Sequence, residues 1–86
     1  MCVLKINNGI HDRRDVNDLV AGIILRQTKE FDEATIVDIS NYYLEGSRIK
    51  LQGTELNDIV GEKIRLFLRN QILIRNNNKL MLYPIK

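Results

Sequence analysis

Residues 53–86 read GTELNDIVGEKIRLFLRNQILIRNNNKLMLYPIK, and a change of hydrophobic period inside this stretch decides the fold. Leu56, Ile59, Val60, Ile64 and Phe67 follow the i, i+3, i+4 spacing of a helix with one buried face. Leu66 and Leu68 extend that arc on either side, while Glu55, Asp58, Glu62, Arg65 and Arg69 take the opposite face. Thr54 is placed to cap the N-terminus with a hydroxyl that accepts a backbone N–H. Gly61 lies at the edge of the arc and costs roughly 1 kcal/mol against alanine. It reads as a point of close helix approach or as a tolerated imperfection. After Asn70 the period falls to two. Ile72–Arg75 and Lys79–Tyr83 read as strands joined by Asn76-Asn77-Asn78, since asparagine tolerates positive φ. A three-residue turn pairs Arg75 with Lys79, Ile74 with Leu80, Leu73 with Met81 and Ile72 with Leu82. Ile72, Ile74, Leu80 and Leu82 then share one face. The same register opposes two cations at the tip, a repulsion relieved by splayed, solvated side chains or by a nearby polyanion. Pro84 has no N–H to donate and ends the ladder.

Upstream, Val3-Leu4-Lys5-Ile6 alternates weakly, as a strand or a packed arm, and Asn7-Asn8-Gly9 signals a turn. Asp12 or Asp15 caps a first helix that runs to about Glu30, with Val16, Leu19, Val20, Ile23, Ile24 and Phe31 buried. Leu25 falls on the far side beside Ala21 and Gly22. That strip reads as a homodimer contact or as a lone surface leucine. Asp32-Glu33 breaks the first helix, and Ala34-Thr35 reads as a very short strand. Thr35 followed by Asp38 resembles a capping box. A second helix over Ile36–Leu44 then buries Ile36, Ile39 and Tyr43 and stops at Gly46. Between Gly46 and Gly53, Arg48 and Lys50 alternate with Ile49 and Leu51, so an extended segment carries two cations outward. No repeat, low-complexity stretch or linker interrupts the chain. One domain is expected over residues 1–86, with an N-terminal arm over 1–11 and a core over 12–83.

A chain that is 44% hydrophobic and 28% charged has the balance of a globular domain rather than a disordered one. No apolar run approaches the ~20 residues that span a bilayer, and no signal-peptide pattern opens the chain. No membrane partner is expected. The single cysteine, Cys2, excludes an internal disulfide and fits a reducing, cytoplasmic setting. Cys2 and His11 alone do not build a zinc site, and no cofactor is expected. Catalysis needs a nucleophile with a base in reach and an oriented third group. Ser40, Ser47, Cys2 and His11 stand in no such motif, which argues against an enzyme. Tyr42 and Tyr43 have no basic groove beside them, as a single-strand stacking platform would require.

Charge is divided along the chain. Residues 1–43 hold five Lys/Arg against seven Asp/Glu (−2), and residues 44–86 hold eight against four (+4). The basic half is the half with the long helix and the hairpin, as a phosphate-facing side would be.

The order helix, short strand, helix, long helix, β-hairpin predicts an α+β, mainly α fold: a three-helix bundle with a C-terminal β-hairpin. Over roughly residues 12–83 it resembles the winged helix-turn-helix family. Three stretches carry the resemblance: Thr35-Ile36-Val37-Asp38-Ile39, Glu55-Leu56-Asn57-Asp58-Ile59-Val60, and Leu66–Ile74 leading into the hairpin. The resemblance implies duplex DNA as partner and transcription regulation as role, with the third helix in the major groove and the wing on backbone or minor groove. Thr54, Asn57, Asp58, Glu62, Arg65 and Arg69 become helix candidates. Arg75, Asn76, Asn77, Asn78 and Lys79 become wing candidates.

Two departures qualify the transfer. The connection between the second and third helices is longer than a compact helix-turn-helix turn. Glu55, Asp58 and Glu62 also put carboxylates on the front of the presumed recognition face. They read as acceptors for cytosine N4, or as a solvated face on which Glu62 pairs with Arg65. Phosphate contact then leans on Arg48, Lys50, Lys63, Arg65, Arg69, Arg75 and Lys79. A winged-helix scaffold for a protein partner, without DNA, is the alternative.

Overall fold

Among the described residues three helices and a hairpin follow one another: α1 (Arg13–Leu25), α2 (Glu33–Leu44), α3 (Glu55–Arg69), β1 (Leu73–Asn76) and β2 (Lys79–Leu82). The structure, a computed structural model, describes residues 12–45, 47, 49, 51 and 53–83. The N-terminal arm with Cys2 and His11, the helix stop at Gly46, the cations Arg48 and Lys50, and Pro84 lie outside the described residues. The architecture is the expected one, mainly helical with a winged-helix-like layout.

Both acids at the start of α1 are used. Asp12 accepts the Asp15 N–H at 3.1 Å and Asp15 accepts the Asp12 N–H at 3.3 Å, a reciprocal capping box. The helix stops at Leu25, short of Glu30. The N–H groups of Arg26 and Gln27 reach back only three residues, to the carbonyls of Ile23 and Ile24, and tighten the last turn. Val16, Leu19, Val20, Ile23 and Ile24 are all buried as the spacing requires. Phe31 is buried too, but from an extended segment.

That segment is the short strand, and it lies earlier than Ala34-Thr35. Phe31 pairs with Leu80, its N–H donating to the Leu80 carbonyl at 2.8 Å and its carbonyl accepting the Leu80 N–H at 2.7 Å. Ala34 and Thr35 are helical instead, because Asp32 rather than Thr35 caps α2. The Asp32 carboxylate accepts the Thr35 N–H at 2.9 Å and its hydroxyl at 2.8 Å, so Thr35 serves as the donor of the cap. Ile36 is buried, with Ile39 and Tyr43 half-buried against the core. Ser40 is fully buried with a hydroxyl that finds no hydrogen-bond partner, and no described group accounts for its polarity.

On α3, Leu56, Ile59, Val60, Gly61, Ile64 and Phe67 are buried. Leu66 departs from the expected arc and is exposed. Thr54 occupies the N-cap position without a side-chain cap bond; only its carbonyl takes part, accepting the Asp58 N–H at 2.9 Å. A Cβ at Gly61 would meet side-chain ends alone, Glu33 Oε2 at 3.4 Å and Arg65 Nη1 at 3.5 Å. No helix backbone presses on this glycine, which settles it as a tolerated imperfection.

Gln71 reverses the chain after α3. It takes φ 63, its N–H donates to the Leu68 carbonyl at 3.1 Å, and the Ile72 N–H donates to the Phe67 carbonyl at 2.8 Å. These two bonds make a Schellman turn with glutamine where glycine is usual. The hairpin that follows differs from the expected register by one residue. Leu73 pairs with Leu82, Ile74 with Met81, Arg75 with Leu80 and Asn76 with Lys79. The turn is thus Asn77-Asn78, with Asn77 at φ 60, the positive φ that a tight primed turn needs at its first central residue. This register sets Lys79 opposite Asn76 and removes the expected cation–cation opposition. Opposed residues share a face, so Leu73, Leu80 and Leu82 turn inward and Ile74 and Met81 outward. Leu73 and Leu80 are accordingly buried.

Candidate nucleic-acid interface

The exposed face of α3 is divided by sign. Asp58 and Glu62 are exposed on its first half, Arg65 and Arg69 on its second. This order matches the helix dipole, which favours anions at the N-terminus and cations at the C-terminus. It therefore has a cause that involves no ligand. Glu55 is largely covered and forms an ion pair with Arg13 of α1. Beside that pair opens a groove of about 510 Å³, lined by Arg13, Thr54, Glu55, Asp58, Ile59 and Glu62. Its one cation is already paired with a carboxylate. The front of α3, including the exposed Thr54 and Asn57, thus borders an acidic groove that repels phosphate.

The rear of α3 has the opposite character. Arg65 and Arg69 lie four residues apart and share a helix face, and both are exposed. Arg75 is exposed towards the tip of β1. Among the described residues none of the three has an ion-pair or hydrogen-bond partner, so the Glu62–Arg65 pairing is not formed. Lys63 is half-buried on the flank.

The wing tip is engaged within the molecule. Asn76 Nδ2 donates to Glu30 Oε2 at 2.8 Å, and Lys79 Nζ lies 3.5 Å from Asp32 Oδ2. Asn77 and Asn78 are exposed. The N–H and then the hydroxyl of Thr35, with the charge of Lys79 added, hold the Asp32 carboxyl below the usual carboxylate range. It carries its full negative charge at neutral pH. Neither Glu30 nor Asp32 stands out in the sequence as a wing partner, because their role depends on the pairing of Phe31 with Leu80.

Elsewhere, Leu25 is 51% exposed, while Ala21 and Gly22 beside it are half-buried. Tyr42 is 70% exposed and meets Tyr43 edge-on, with ring centroids 5.5 Å apart. Among the described residues no three His, Cys, Asp or Glu side chains gather as a metal site would need, and no helix is long and apolar enough to cross a membrane. Comparison with family models, curated proteins and solved structures returned no match.

Proposed function

We propose that this chain is a winged-helix-like DNA-binding domain that meets duplex DNA with the rear of α3 and the wing, in the service of transcription regulation. Arg65, Arg69 and Arg75 contact backbone phosphates. The observation that supports this reading is the exposure of three guanidinium groups, none with a partner among the described residues, on the two elements such a domain presents to DNA. Guanidinium is also the side-chain cation best shaped for phosphate, with a planar fork of N–H donors. The acids at Asp58 and Glu62 keep the front of α3 away from the flanking phosphates, so binding is led by backbone contact rather than by deep base readout.

Salt dependence tests this directly. With a short labelled duplex, log affinity should fall linearly with log salt, and Arg65→Ala, Arg69→Ala and Arg75→Ala should each flatten the slope by up to ~0.9. Absence of duplex binding at low salt, or slopes indifferent to all three substitutions, would refute the proposal.

One observation favours a second reading, a docking module for another protein. Leu66, 39% exposed, lies in the basic half of α3 within one helical turn of both Glu62 and Arg69, a mixed surface suited to a partner of complementary charge. In that case the duplex titration is flat, and Leu66→Ala weakens a protein complex.

A further inference from the structure

The connection between α1 and α2 runs alongside the wing as a third strand of a single residue pair. Phe31 opposite Leu80 places Asp32 opposite Lys79, and alternation turns Glu30 and Asp32 to the same outward face as Asn76 and Lys79. The backbone pairing thus brings two carboxylates onto the polar side of the wing tip, where the 2.8 Å and 3.5 Å contacts form. Asp32 is not free to swing away, because Thr35 holds its other oxygen at the α2 cap. Arg75 and Lys79 carry two positive charges near the tip, and Glu30 and Asp32 carry two negative ones.

We propose that Glu30 and Asp32 form an intramolecular clasp on the wing, competing with DNA phosphate for Asn76 and Lys79 and so limiting the cations that the wing offers. This rests on the reading of the wing as a phosphate contact. The side chains of Lys79 and Asp32 remain 51% and 43% exposed, so the pair opens at little cost when a stronger anion competes. The clasp makes affinity weaker than the count of cations implies. It also predicts that Lys79 contributes less to binding than Arg75, although both lie on the wing.

A double-mutant cycle on the full chain tests the clasp, using a short labelled duplex over a salt series. Asp32→Asn removes the charge and keeps a side chain that caps helices equally well. It should raise duplex affinity about threefold to fivefold at low salt, the scale of one exposed ion pair. It should also steepen the log–log slope by up to ~0.9, one added phosphate contact. Lys79→Ala should change little in the native background and should abolish the gain in the Asp32→Asn background. Glu30→Gln, which leaves the α2 cap untouched, should give a smaller gain in the same direction and serves if Asp32→Asn loses its helical circular dichroism.

If the native chain binds with a slope that depends on Arg75 but neither carboxylate substitution strengthens binding, the clasp is wrong and DNA binding stands. The same holds if the gain survives Lys79→Ala, since the effect is then general charge and not release of Lys79. If no variant binds duplex at low salt, DNA binding itself fails and the clasp falls with it.

Discussion

At Gln71 the backbone turns to φ 63, where a Cβ crowds the following carbonyl at a cost of roughly 1–2 kcal/mol. The Schellman bonds of Ile72 and Gln71 require that conformation, because they end α3 and direct the chain into the wing. Gln71→Gly relieves the strain and loses part of the gain to the greater freedom of unfolded glycine. The net expectation is a stabilisation of about 0.5–1 kcal/mol, read as a higher urea midpoint; an unchanged or lower midpoint would contradict it. Asn77, at φ 60, needs no such correction, since asparagine is among the side chains that accept this region most readily. The sequence identifies the asparagine run as a turn for that reason, whereas nothing in the residue type of Gln71 announces a positive φ.

Among the elements, α1 and α3 are legible from the sequence because each has a single apolar stripe of helical period. Every stripe residue named for α1, together with Phe31, is buried. The start of α2 is less legible: Asp32 and Thr35 are both capping residues, and only the structure shows them joined as acceptor and donor of one cap. The hairpin register was not legible. Ile72, Leu73 and Ile74 are consecutive and apolar, as are Leu80, Met81 and Leu82, so either face of the ribbon is apolar enough to be buried. Phe31, remote in sequence, bonds to both backbone groups of Leu80 and fixes which face of β2 turns inward, a face common to both registers; the two-residue turn at Asn77-Asn78 is what brings Leu73 rather than Ile74 onto it. Alanine substitution tests this register. Leu73→Ala should cost about 2–5 kcal/mol, whereas the outward, half-buried Ile74→Ala should cost roughly 1 kcal/mol or less, both measured by chemical denaturation. A three-residue turn would bury Ile74 in place of Leu73 and reverse the order.

For the whole molecule, the −2 and +4 halves of the chain do not simply face apart. Arg13 of the first half pairs with Glu55 of the second, and Glu30 and Asp32 of the first half reach the wing of the second. Charge totals along the chain therefore do not say which cations are spoken for. Folding leaves Arg65, Arg69 and Arg75 without partners among the described residues, while Arg13 beside the acidic groove at the front of α3 is taken up by Glu55. The most direct measurement is an NMR titration of the full chain with duplex DNA at low salt, following backbone amides and arginine side chains. The account predicts saturable shift changes at Arg65, Arg69, Arg75 and the Asn77-Asn78 turn, with Thr54 to Glu62 little moved. Changes centred on Asp58 and Glu62, or none as duplex is added, would contradict it.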